Sequence, residues 1–184
     1  MSKSARFDVV GHLPALHRYA LALTRHRADA DDLVHDVLVL AYERRASFRP
    51  ESNLRLWLFA ILHNRFIDDA RAHSVRAAHA TREAQTREDV VEPVQEQGVW
   101  LGQVRRAVED LPEDQRAALH LVAVEGMSYT QAAEVLGVPA GTLMSRLARA
   151  RMALRIMGEA GESAGAETGR AQRRLKLVRG ADDI

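Results

Sequence analysis

Apolar residues in this chain recur every three to four positions, and strand-like alternation is nearly absent. Leu13, Leu16, Ala20 and Leu23 form one stripe, and Leu33, Val37 and Leu40 form a second. The run Leu54–Leu62 (LRLWLFAIL) is apolar around most of its circumference, which places it at the centre of a small bundle. Asn53 precedes it as an N-cap, because its side-chain oxygen can accept from the first free backbone amides. From His73 to Gly98 the only apolar residues of any size are scattered valines, so no stripe anchors that stretch and it reads as a linker.

Helical spacing resumes with Trp100, Val104, Val108 and Leu111. Pro112 opens the next helix, Leu119 and Val122 continue its core, and Gly126 stops it. Ser128 and Gln131 make a capping box for a short helix to Leu136, which Gly137 ends in a left-handed turn. A last helix is predicted from Ala140 to Met157. The expected fold class is all-α: two small helical domains, 1–73 and 99–157, joined by a flexible linker, 74–98. A flexible basic tail, 158–184, follows, ending in RAQRRLKLVRG.

Composition narrows the classes. With no Cys there is no disulfide framework, no Cys-bearing zinc site and no thiol nucleophile. No apolar run approaches the length of a membrane span, and MSKSARFDVVGHLPAL lacks the apolar core of a signal peptide, so a cytoplasmic protein is expected. The eight His follow no His-Glu-x-x-His pattern, and no Gly-rich phosphate loop is present, which argues against an enzyme and against a metal site. The net charge of +1 conceals segregation. Residues 29–43 hold five carboxylates and no Lys or Arg, whereas Gly137–Met157 holds Arg146, Arg149, Arg151 and Arg155 and no acid.

Two constellations carry candidate chemistry. Tyr129–Arg155 has helix-turn-helix spacing, with small Ala133 allowing close approach, Gly137 at the turn and Leu143 as the core anchor. The second helix would show Thr142, Ser145, Arg146 and Arg149 near its N-terminal half, where a recognition helix meets base edges and phosphates. A solvated basic face is the plainer alternative. In the acidic helix Asp29–Glu43, Asp32, His35 and Asp36 share a face that suits a protein partner better than DNA, which would repel it. A solvated acidic helix is the alternative there. Trp57, Phe59 and Phe66 are either core or base-stacking residues, with core the simpler assignment.

Three segments in this order carry a resemblance: DADDLVHDVLVLAYER, then FRPESNLRLWLFAILHNRFIDDAR, then LPEDQRAALHLVAVEGMSYTQAAEVLGVPAGTLMSRLARARMALR. They resemble bacterial RNA polymerase sigma factors of the small extracytoplasmic-function group, over about residues 10–157. The FRPESNLRLWLF stretch is also similar to the branch that serves the general stress response. The resemblance implies a promoter-specificity subunit with core RNA polymerase, promoter DNA and an anti-sigma factor as partners, and no cofactor. It implies core-polymerase contacts at Asp32, His35, Asp36 and Leu40. It implies that the loop Phe48–Asn53 captures a flipped base of the −10 element, with Asn53, Asn64 and Arg65 on the non-template strand and Trp57 supporting the loop. Thr142, Ser145, Arg146 and Arg149 match the −35 recognition helix. The chain departs from the family pattern at His35-Asp36, Met144 and Ala148. In the free protein the two modules are expected to collapse on each other. The alternative function is a dimeric helix-turn-helix regulator that acts without polymerase.

Overall fold

The structure is a computed structural model that describes residues 7–49, 51–79 and 96–157. A 3-10 turn, Val10–His12, leads into α1, Leu13–Thr24. Helix α2, Arg27–Glu43, and a second 3-10 turn, Arg44–Ser47, precede α3, Leu54–His79. Then come α4, Glu96–Glu109, and α5, Glu113–Leu119, which runs into a π-helical turn, His120–Val124. Helix α6, Tyr129–Leu136, and α7, residues 140–157, complete the described chain, in which no strand occurs.

The N-terminal module packs α1, α2 and α3 around Leu16, Tyr19, Val37, Leu58, Phe59 and Leu62, all fully buried. The apolar stripes place their residues inward as their spacing requires, with Leu13 and Leu40 at the partly covered edge. Helix α1 ends without glycine: Arg25 takes the left-handed conformation (φ 61°), its amide donates to Leu21 O at 2.9 Å, and its guanidinium reaches Leu111 O at 3.3 Å. The backbone strain of a non-glycine residue there is of order 1 kcal/mol.

The C-terminal module is built on Leu121, Ala132, Ala133, Val135, Leu143 and Leu147. Ser128 Oγ accepts from the Gln131 amide at 3.2 Å, and the Ser128 amide donates to Gln131 Oε1 at 3.0 Å, closing the capping box. Gly137 (φ 62°) ends α6, and the Val138 amide returns to Ala133 O at 3.0 Å. Pro139 O then receives the amides of Thr142 and Leu143, starting α7. Val104, expected on the inner stripe of α4, is instead exposed, whereas Leu111 is fully buried; the side chain of Trp100 lies outside the described residues.

Helix boundaries differ from the sequence reading at the linker. Helix α3 continues to His79 and α4 starts at Glu96, so the helices take up both ends of the expected linker. Residues 80–95 and the tail from 158 lie outside the described residues. The extension of α3 has a local cause. Once its buried half nucleates the helix, each further residue adds a backbone bond at little cost. The helix-compatible residues of RAHSVRAAH then carry it on, helped by the i,i+3 pair Arg71–Asp68 at 3.9 Å.

The modules pack on each other. Helix α6 lies against α3, and α5 with its π turn lies against α1, so one buried apolar cluster runs from Leu16 to Leu147. Polar groups line this seam. Arg116, 3 % exposed, donates from Nε to Ala22 O at 2.6 Å and from Nη1 to Leu111 O at 2.7 Å. It adds longer bonds to Leu23 O and Glu109 O. One guanidinium thereby satisfies the carbonyl ends of α1 and of the α4–α5 junction, where orphan acceptors and the negative helix dipole favour a cation.

Candidate functional site

The predicted residues fall into three groups on the surface. On α2, Asp32 and His35 are exposed, Asp36 is half-buried, and Leu40 is half-buried against the core. Beside them, α2 and α3 flank a groove of about 740 Å³. Leu23, Leu33, Phe66 and Ala70 supply its apolar part, Asp29, Asp32, Asp36 and Asp69 its carboxylates, and Arg25 a single cation. An apolar floor with an acidic rim fits a basic amphipathic segment and repels nucleic acid. Sequence reasoning missed Phe66 and Asp69 as members of this groove; the Asp68-Asp69 pair on α3 is the only local signal for them.

At the head of α3, Asn53 Oδ1 accepts from the amides of Arg55 (3.0 Å) and Leu56 (3.3 Å). It is the N-cap that the sequence indicates, and the residue itself is exposed. Trp57 packs against Phe48 (ring centroids 5.3 Å) and Phe7 (6.0 Å), which pins Phe48, where the loop begins, to the helix. Such edge and tilted pairs add about 0.5–1.5 kcal/mol each beyond their buried area. Asn64 is exposed seven residues, about two helical turns, beyond Trp57, so both share one face of α3. Exposed Tyr42, with the Arg45 guanidinium 4.0 Å over its ring, stands near the entry to the same loop and was not singled out from the sequence.

Arg65 does not join that face. It turns toward α2, donating to Asp36 Oδ2 from Nη2 (2.8 Å) and Nε (3.2 Å), with Asp69 Oδ1 3.2 Å from Nη2. Two residues assigned to different partners by the resemblance are therefore partners of each other. The pair sits 29 residues apart in sequence and could not be read from local spacing.

On α7, Thr142 and Arg149 are exposed. Ser145 Oγ donates to Thr142 O at 2.8 Å, and Arg146 Nε reaches Asp114 Oδ2 at 3.2 Å with its side chain 22 % exposed. Thr142, Ser145 and Arg149 thus share the outward face, while Arg146 is drawn toward α5. Exposed Met144 and Met152 flank it.

The seam between modules holds a polar cluster that the sequence reading treated as scattered histidines. Tyr19 is fully buried, 3.1 Å by its hydroxyl from His63 Nδ1, and its ring packs on Phe59 and His120. Burial, and secondarily the nearby Arg146 charge, push the His63 pKa down to about 4; burial likewise raises that of Tyr19. Burial also lowers the His120 pKa, against the opposing pull of Glu125. Glu125 follows the apolar run LHLVAV, and its side chain is 1 % exposed. It accepts from Arg18 (Nη2 3.1 Å) and Arg55 (Nη2 2.7 Å) of the other module. No group of three or more potential metal ligands occurs among the described residues, and none of their helices is long and apolar enough to cross a membrane.

Among the described residues the fold is all-helical, and a capped helix-turn-helix, a second helical module and separate acidic and basic faces define a DNA-reading protein that also holds a protein partner. The comparisons give the family. The model described as Sigma-70, region 4 matches residues 101–154, and that of the Sigma2 domain of PhyR matches residues 9–63. The ECF RNA polymerase sigma factor EcfG of Rhodopseudomonas palustris is 38% identical over 155 residues, 84% of each chain. SigM of Mycobacterium tuberculosis is 35% identical over 148 residues, 80% of this chain and 74% of that one. Among solved structures, the sigma factor RpoE in complex with the anti-sigma factor NepR from Bartonella quintana superposes with a TM-score of 0.68. It is 31% identical, over 86% of this chain and 98% of that one. CnrH in complex with the cytosolic domain of CnrY gives 0.62 at 28% identity, over 86% and 90%. The chain belongs to the extracytoplasmic-function RNA polymerase sigma factors. The expected all-α class and family resemblance hold, and family membership decides for the polymerase subunit over the stand-alone regulator.

Proposed function

We propose that this sigma factor makes the bacterial polymerase promoter-specific by dividing recognition among its surfaces, and that it supplies no chemical step of its own. The α2 face with Asp32, His35, Asp36 and Leu40, extended by the groove to Phe66 and Asp69, takes a basic amphipathic element of core RNA polymerase. The Phe48–Asn53 loop, Trp57 and Asn64 take unpaired −10 bases. Thr142, Ser145 and Arg149 read the −35 duplex, with Arg146 released from Asp114 to join them. Arg65 orients Asp36 on the polymerase side more than it serves DNA. An anti-sigma protein of the NepR kind controls the subunit, and the likeness to EcfG and to the RpoE–NepR complex supports the general-stress-response branch. The protein works in the cytoplasm, where polymerase is.

The energetics explain why polymerase binding is indispensable. Base stacking costs about 1.4 kcal/mol per step, so opening about ten steps costs on the order of 14 kcal/mol. A pocket for one or two flipped bases returns only a few kcal/mol. The sigma subunit traps an opening that the polymerase channel largely sustains. Joining two weak readers raises the effective concentration of the second once the first is bound. Residues 80–95 can reach at most about 55 Å between α3 and α4, which limits the tolerated spacing of the two elements.

The observation that carries the reading is the α6–α7 pair: a complete capping box, a left-handed Gly137 turn, and a helix whose outward face shows Thr142 and Arg149. The test separates the surfaces. Arg149→Ala should weaken −35 duplex binding and lower its salt slope by about one, leaving pull-down of core polymerase intact. Asp32→Arg, at an exposed position without the Arg65 contact of Asp36, should do the reverse. The same defect from both substitutions contradicts the division.

A further inference from the structure

The seam between the modules holds a carboxylate that the proposed function leaves unused. Glu125 ends the π-helical turn of the C-terminal module, and its side chain is 1 % exposed. Arg18 of α1 gives it Nε (3.2 Å) and Nη2 (3.1 Å). Arg55, in the first turn of α3, gives Oε2 a 2.7 Å bond, and the same Nη2 reaches Glu125 O at 2.8 Å. The arginines themselves face outward, with side chains 53% and 32% exposed. Two guanidinium groups from different helices thus converge on one pair of oxygens that is sealed from water, with the buried His120 Nε2 3.5 Å from Oε1.

When the modules separate to read two segments of DNA, Arg18 and Arg55 stay together on the N-terminal module and lose their acceptor. Two converging cations without an anion repel and attract one from outside. A phosphodiester offers guanidinium the same pair of oxygens as a carboxylate. The position favours it: Arg55 is two residues beyond Asn53, at the helix head where Phe48, the start of the loop, is pinned. The Arg55 guanidinium also lies 5.4 Å over the Phe59 ring, which holds its stem in place.

We infer that Glu125 is a built-in competitor of DNA. In the closed protein it occupies the Arg18–Arg55 pair, and a phosphate of the unpaired promoter strand takes that pair once the modules part. The closed free protein is thereby masked at its −10 reader, and opening is coupled to strand capture through one shared site. This rests on the reading that the N-terminal module captures unpaired DNA.

The contact can be broken from either side. Glu125→Gln removes the competitor and leaves the arginines; Arg18→Gln with Arg55→Gln removes the phosphate site and leaves the acid. The chain has no Cys of its own, so Ala28→Cys and Ala140→Cys, both exposed, take dyes that report module separation. Helix content by circular dichroism confirms folding, and if the Glu125→Gln variant does not fold, the double arginine variant and Arg18→Gln still report on the latch. Both breaks should lengthen the dye distance. Only Glu125→Gln should bind a single-stranded DNA oligonucleotide of mixed sequence more tightly, about tenfold, with a salt slope steeper by about 0.7 per phosphate engaged. Equal gains from both breaks, a gain from neither, or an unchanged dye distance overturns the inference. Promoter-dependent transcription by the wild-type protein with core polymerase, together with any of those results, means that this inference fails and the proposed function stands. Loss of transcription and of core binding in the wild type removes the proposed function instead.

Discussion

Replacing Arg116 by Met tests how the two modules are held. The guanidinium makes two short bonds, to Ala22 O at 2.6 Å and Leu111 O at 2.7 Å, and two longer ones, to Leu23 O and Glu109 O. A hydrogen bond to a charged group contributes about 1.5–3 kcal/mol net, so the two short ones alone set a scale of about 3–6 kcal/mol. Removing the buried cation also removes its desolvation cost, which lowers the figure, but leaves carbonyls at two helix ends without a donor. The expected loss is about 3–5 kcal/mol. At this chain length that corresponds to a fall in Tm of about 6–20 °C. Arg116→Lys keeps the charge but not the fork that reaches both sets of carbonyls, and should cost about half as much. Urea unfolding followed by circular dichroism measures the change, with exposed Arg149→Ala as the control, expected within about 0.5 kcal/mol of wild type. A loss below about 1 kcal/mol in the Met variant would refute the claim that Arg116 closes the seam.

Lowering the pH from about 6.5 to about 4 should destabilise the protein through His63, whose pKa is held near 4 when folded. Over that window the unfolded chain binds a proton that the folded one refuses, so stability rises with pH; His63→Gln should flatten part of the slope in pH-dependent urea titrations, with His120 acting in the same direction. Ser128→Ala should cost about 1 kcal/mol by opening the capping box. Gly137→Ala should cost about 1–2 kcal/mol from backbone strain alone, because an added Cβ meets nothing within 4 Å; thermal melts compare the two. A double-mutant cycle on Asp36→Ala and Arg65→Ala should give a coupling of only about 0.5 kcal/mol in stability, since both side chains are over a third exposed, yet Arg65→Ala should weaken core-polymerase pull-down by freeing Asp36.

What the sequence made legible was local. The capping box at Ser128 and Gln131, the Gly137 turn and the Asn53 cap each depend on contacts within five residues, and each takes its expected geometry. Helix α3 runs on to His79, past the last apolar stripe, because a helix, once nucleated, needs no such stripe to continue, and the stripe was the signal that the sequence offered. Arg65 and Asp36 were assigned to different partners because their ion pair joins α2 to α3, and no periodicity reports on a pair 29 residues apart. Glu125 carried a faint signal, a lone acid after six mostly apolar residues and beside Gly126, which reads equally well as a helix end meeting solvent. Only packing against α1 and α3 turns it into a buried acceptor for two arginines.

Run-off transcription with purified core polymerase tests the central claim most directly, using promoter fragments mapped from transcripts that depend on this protein. The expected result is a transcript of defined start that requires the wild-type chain and is strongly reduced both by Asp32→Arg and by Arg149→Ala. A protein that neither binds core polymerase nor directs any promoter-dependent transcript, while still binding duplex DNA as a dimer, would contradict the account.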